Sequence, residues 1–215
     1  MPATNIVRAQ QTTRVKHAIT VENRAKQPNG SHTAEAMKIA PSLTPDFWSH
    51  SSVTSETKQA FHDYAGSGYQ SMNGALRETG TVGTPKHIQK KLDLMDEQFL
   101  RDASVTTEDV IVRRGEQVSA AVIAKLRAQL AKGPPPCLLP RQGYTSASMA
   151  NRPAAIGANK NTWIHFTVPK GTRMLGIAGL AGHAENEVML DHGQQTEIYE
   201  IWEAGGKTHI KAMVR

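Results

Sequence analysis

The stretch from Thr162 to Arg215 most limits what this chain can fold into. Trp163 to Val168 alternates polar and apolar residues, and Pro169-Lys170-Gly171-Thr172 then makes a turn into Arg173–Ile177. Three more short runs follow, Asn186–Leu190, Thr196–Glu203 and Thr208–Val214, joined by Asp191-His192-Gly193 and Ala204-Gly205-Gly206. Runs of this length bounded by glycine-rich turns read as strands.

Upstream, the periodicity is helical. Ser55–Tyr64 predicts a short helix, Gly66-Ser67-Gly68 breaks it, and a second helix runs over Tyr69–Arg77. That glycine pair has no preceding strand and no third glycine, so it is not a dinucleotide-binding fingerprint. Thr84-Pro85 starts another helix, whose Ile88, Leu92, Met95 and Phe99 form one apolar stripe. Glu108–Arg114 is a β-branched strand ending in two arginines. Glu116–Lys132 predicts a helix with Val118, Val122, Leu126 and Leu130 at four-residue spacing, closed by Gly133. Pro134–Pro140 is expected to be a loop, Gly143–Met149 a short strand, and Asn151–Asn161 a second loop. Helices first and strands later predict an α+β domain with a largely antiparallel core. No internal repeat is present.

The first fifty or so residues are rich in Thr, Gln, Asn, Ser, Ala and Lys, a composition that buries too little apolar surface to offset ordering. The expectation is a flexible segment over 1–45 and one domain over 46–215. There is no run of about 18 apolar residues and no apolar core of a signal peptide, so a membrane span is not expected. If the protein leaves its cell, it does so without a cleaved signal. Its polar, signal-less start is compatible with a type III secreted effector.

Lys and Arg number 25 against 19 Asp and Glu, a net charge of +6 that favours anionic partners. No basic tract marks a nucleic-acid tail, and aromatic residues are only 5 %, which disfavours a base-stacking platform. The single cysteine, Cys137, excludes an intramolecular disulfide and sits beside Pro134-Pro135-Pro136 as a structural residue. The nine histidines show no metal-binding spacing, so no metal site is expected.

Glu185 and Glu187 stand two apart, so in a strand they project to one face, with Val188-Met189-Leu190 following directly. Paired like charges are costly unless something uses them. Upstream stand an arginine at a strand end, Arg113 or Arg114, and the pair Ser146 and Ser148, which share a strand face. Arginine's planar fork suits phosphate oxygens.

In this order the three features resemble the mono-ADP-ribosyltransferases of the Arg–Ser–Glu class, over about residues 50–215. Tyr64-Ala65-Gly66-Ser67-Gly68-Tyr69 with Asn73, Leu76 and Arg77 resembles the family's helix. Val110-Ile111-Val112-Arg113-Arg114-Gly115, Phe166–Thr172 and Glu185–Leu190 are similar to its later motifs.

The resemblance implies two packed, mainly antiparallel sheets around an NAD cleft, with N-terminal helices. It also implies transfer of ADP-ribose from NAD to arginine on a target, or host, protein, with NAD hydrolysis as a side activity. Glu187 then matches the catalytic glutamate. Glu185 matches the upstream glutamate that marks arginine modifiers. Ser146, Ser148, Tyr69 and Asn73 fall in the NAD-proximal set. Aligning the apolar residues selects Arg113 as the phosphate ligand, while aligning the glycine selects Arg114. The loop Ala178–Ala184, with Leu180 and His183, is implied to touch the target. Ala147 replaces the usual middle threonine of the Ser-x-Ser strand, and a silent member that only binds a host protein is the alternative. A cleft built for arginine also invites Arg8, Arg14 or Arg24 of the N-terminal segment.

Overall fold

A computed structural model describes residues 16–27, 34–44, 47–78, 83–133, 136–178, 180 and 186–215. Helix α1 covers 16–24 and α2 Ala34–Ile39. Three longer helices follow: α3 (Ser55–Asp63), α4 (Tyr69–Glu78) and α5 (Lys86–Phe99). Between α3 and α4 the chain kinks at Gly66, whose φ of −81° and ψ of −125° are not helical. That is where the glycine pair was expected to break the helix. Thr54 caps α3 by accepting from the Thr57 N–H at 3.1 Å.

The remaining elements are β1 (Val110–Glu116), α6 (Ala120–Lys132), β2 (Cys137–Arg141), β3 (Thr145–Ser148) and the short α7 (Ala155–Ala158). Then come β4 (Thr162–Val168), β5 (Met174–Gly176), β6 (Glu187–Leu190), β7 (Gln194–Ala204) and β8 (Lys207–Val214). The strands form one eight-stranded order, β2-β7-β8-β4-β1-β3-β6-β5, in which only β4 and β8 are parallel. The mixed α+β, mainly antiparallel expectation therefore holds, but the two sheets are one hydrogen-bonded order. At the β1–β3 junction the ladder narrows to a single pair, Arg113 opposite Ser148. Residues from both sides of that junction, Val112 and Phe166 on one and Ala147 and Val188 on the other, pack into the same buried cluster.

Two local expectations are corrected. Residues 137–141 form a strand although Pro140 lies within it, because β2 is the end strand of the order, where a missing N–H is tolerated. Helix α6 begins after Ser119, which caps the Val122 N–H. It buries Ile123 and Leu126 while Val122 is 44 % exposed. A strict four-residue spacing drifts around a helix of 3.6 residues per turn, so the expected stripe could not stay on one face. Residues before 45 also pack against the cores. Ala18 and Val21 of α1 are buried against Met213, and Ala36, Ile39, Ala40 and Leu43 join the main core.

On the outer face of β4, β7 and β8, His165 lies against Trp202 and His209, with its Nε2 3.0 Å from His209 Nδ1. Burial first, then the charge of Arg113, pushes its pKa down to about 4. The unfolded chain titrates near 6.5. The folded state therefore declines a proton that the unfolded state accepts. The stability from neutral His165 is complete above about pH 6.5 and is lost as pH falls towards 4. We expect the loss to approach, but not exceed, about 3 kcal/mol. Urea unfolding of the protein and of His165→Gln at neutral and acidic pH checks this, the variant showing the flatter profile.

Candidate active site

Strand β1 leaves the core at Arg114. Val110 and Val112 point into the main core, and the next residue on that face is Arg114, followed by Glu116. The apolar face thus becomes charged at its end, and a cavity of about 340 Å³ opens there. Arg77 from α4, Arg114 and Glu116 from β1, Arg141 from β2, Tyr144 and Lys160 all line it.

Glu116 is the only carboxylate among these lining groups. Its Oε1 accepts from Arg114 Nε at 2.9 Å and from Arg141 Nη1 at 2.6 Å. Burial alone would raise its pKa, but the charges and hydrogen bonds of Arg141 and Arg114 outweigh that and hold it low. Arg114 Nη1 also donates to the Ser146 carbonyl at 2.7 Å, tying β1 to β3. The guanidinium of Arg141 is pushed down, first by burial and then by the charges of Arg114 and Arg77, with Glu116 opposing. Four cations facing one carboxylate in a half-enclosed space make a site for an anion with more than one charge.

Arg113 points the other way. It is 7 % exposed, and it donates to the Ala150 carbonyl at 3.0 Å and to Gln27 Oε1 at 2.7 Å. Of the two arginines, the one in the cavity is Arg114.

Next to the cavity stands a buried phenol. Tyr64 donates to the Tyr144 carbonyl at 3.1 Å and accepts from Asn73 Nδ2 at 3.0 Å. Burial raises its pKa, opposed by hydrogen bonds from Asn73 and the Ser146 side chain; the charges of Arg114 and Glu187 both reach it. Arg114, Ser146 and Glu187 thus all bear electrostatically on one buried phenol. Glu187 opens β6, half-buried and opposite Ser148.

The other expected residues fall into different places. Ser148 is buried and its Oγ accepts from the Ala150 N–H at 3.1 Å, a local brace. Asn73 is 3 % exposed and bridges Tyr64 and Tyr144, so it holds the wall of the cavity and does not face into it. Tyr69 is 44 % exposed and is not among the lining residues. Leu180 packs against the second core, between the helices and β5–β6. His183 and Glu185 lie outside the described residues, as do Arg8 and Arg14. Arg24 pairs with Asp109 at 2.9 Å, just before β1 begins and away from the cavity at its far end. Ala147 lies on the core face with Val188, so the missing threonine hydroxyl belongs to the packing side of β3.

Sequence reasoning did not single out Arg141 or Lys160, which no local pattern marks. It placed Arg77 only as part of a helix motif. Behind Tyr144 lies a group with metal-compatible donors, Asp96, Asp191 and His192. The Tyr144 hydroxyl donates to Asp96 Oδ1, and His192 Nε2 stands 3.0 Å from the same oxygen. Those contacts make the group a brace for Tyr144.

Residues 29–215 match the ADP-ribosyltransferase exoenzyme family. No curated protein matches the chain in sequence. Among solved structures, the C3 exoenzyme of Clostridium limosum superposes with a TM-score of 0.69 at 19 % identity, covering 89 % of this chain and 97 % of that one. C3stau2 of S. aureus, solved with NAD, gives 0.66 at 20 % identity over 89 % and 99 %. Plx2a, an ADP-ribosyltransferase toxin from Paenibacillus larvae, gives 0.63 at 21 % identity over 77 % and 88 %.

Proposed function

Since the chain belongs to the ADP-ribosyltransferase exoenzyme family, whose substrate is NAD, we propose that it transfers ADP-ribose from NAD to an arginine side chain of a target protein. The observation that carries this reading is the cavity in which Arg77, Arg114, Arg141 and Lys160 face a single carboxylate. The diphosphate of NAD supplies the negative charge that such a wall lacks, and Arg114 is the ligand this reading assigns to it.

The chemistry follows from the neighbouring groups. The C1″–N bond of NAD breaks with its electron pair going to nicotinamide, which leaves neutral while positive charge builds on the ribose, as in glycoside cleavage. Glu187 is assigned to stabilise that charge, and Ser146 to orient it. A guanidinium keeps its proton at accessible pH, so the acceptor arginine needs a base as its nitrogen bonds to C1″. Glu185, two residues before Glu187, is assigned that proton, and its charge also attracts the acceptor. Water in place of arginine gives NAD hydrolysis. The target is taken to be a protein of another cell, a reading that rests on the relatives titled toxin and exoenzyme.

The test is incubation of the purified protein with labelled NAD and a cell lysate, followed by mass spectrometry of the labelled proteins. ADP-ribosyl-arginine is the expected product. Label confined to other side chains would end the arginine assignment, and no NAD binding by calorimetry would favour a silent, protein-binding member.

A further inference from the structure

Arg141 is a costly residue in the wall of the cavity. Its side chain is 15 % exposed, yet only Nη1 finds a protein partner, on Glu116. Nε and Nη2 are buried with none among the described residues. The guanidinium lies over the Phe166 ring at 5.2 Å, so its plane rests on the edge of the apolar core. Arg114 and Arg77 are close enough to act on it as like charges. Glu116 only partly compensates the group, because the same carboxylate oxygen also serves Arg114. A buried cation with orphaned donors beside two more cations is destabilising. An apolar residue would fill the space over Phe166 without that cost.

We propose that Arg141 is a further binding residue for the diphosphate of the dinucleotide, closing a three-arginine cradle with Arg77 and Arg114. This rests on the NAD reading above and extends it to a strand that no sequence motif marks. The three guanidiniums come from three separate elements, α4, β1 and β2, and the diphosphate is what joins them. Glu116 serves as the shared counter-ion of Arg114 and Arg141. Arg141 holds its plane against Phe166 and offers the donors that Glu116 leaves over. A planar fork suits this better than an ammonium, because two adjacent donors can reach two oxygens.

The experiment measures binding of inorganic pyrophosphate and of NAD to the full chain by calorimetry, and the melting temperature without ligand, for the protein, Arg141→Met and Arg141→Lys. We expect Arg141→Met to weaken pyrophosphate and NAD at least about tenfold. Its ligand-free melting temperature should be unchanged or higher, as follows from removing a buried cation with two orphaned donors while Glu116 keeps Arg114 as its partner. Arg141→Lys keeps the charge beside Glu116 but loses Nε and Nη2, and should weaken both ligands by a smaller factor, about threefold or more. Pyrophosphate affinity within twofold of the unaltered protein in both variants would overturn the proposal. So would a lower melting temperature with unchanged affinity, which would assign Arg141 to architecture. If pyrophosphate depends on Arg141 and NAD does not bind, the anion cradle stands and the NAD reading falls.

Discussion

Glu187→Gln is expected to lower ADP-ribosyl transfer and nicotinamide release at least about a thousandfold, while NAD affinity changes less than about threefold. Glutamine keeps the shape and one acceptor but not the charge. The diphosphate contacts proposed here, on Arg77, Arg114 and Arg141, are untouched, so ground-state binding should persist. What is lost is stabilisation of a charge that exists only in the transition state, and a thousandfold loss corresponds to about 4 kcal/mol. The position of Glu187 supports a role this specific. It opens β6, half-buried and in register with Ser148 of β3, the strand that also carries Ser146. Glu185→Gln should behave differently: nicotinamide release to water continues, and transfer to arginine falls about a hundredfold. Single-turnover assays with NAD, with and without an arginine acceptor, separate the two. Retention of transfer within tenfold in Glu187→Gln would remove the glutamate from the chemistry.

The parts of this site legible in sequence are those whose chemistry is local. Two arginines ending a strand, two serines two apart and a Glu-x-Glu pair can each be read from spacing, and so can the helices before them. Facing is harder. Arg113 and Arg114 were equivalent in the sequence, and the choice between them depended on which side of β1 the core occupies. Val112 is fully buried in the main core, which puts Arg114 two positions on at the mouth of that core and sends Arg113 to Gln27 and Ala150. The same reasoning places Ala147, whose side chain packs in the core with Val188, on the face of β3 away from its serines. Arg141 was not legible at all. It sits on an end strand containing a proline, just after a stretch that composition marks as loop, and its partners Glu116 and Phe166 are each 25 residues away in sequence. The N-terminal helices were missed for a related reason. Ala18 and Val21, and Ala36, Ile39 and Ala40, are one-turn apolar patches too short to stand out in polar sequence, and they hold only because the sheet supplies the opposing surface.

Gly115→Ala is expected to destabilise the protein by about 3–5 kcal/mol, and to lower its melting temperature by about 10 °C. A Cβ at this position would lie 1.8 Å from the Gly157 carbonyl oxygen and 2.7 Å from its Cα. Both are backbone atoms, so no side chain can rotate away. Gly115 pairs opposite Trp163 inside β1, and Gly157 belongs to α7, so one of the two elements must move. Either movement reaches the cavity. Arg114 and Glu116 flank Gly115 on β1, and Lys160 follows α7, with its N–H bonded to the Gly157 carbonyl at 3.1 Å. The glycine that follows Arg114 is therefore required for close packing, since it lets α7 lie flat on β1 and bring a fourth cation to the rim. Thermal unfolding and pyrophosphate titration of Gly115→Ala should fall together. Gly83→Ala is the control for a glycine substitution in open space, where strain comes only from a positive φ of 83°. It should cost about 1 kcal/mol and leave anion binding intact. Equal stability loss in the two variants would mean that the approach of α7 to β1 is not what Gly115 provides.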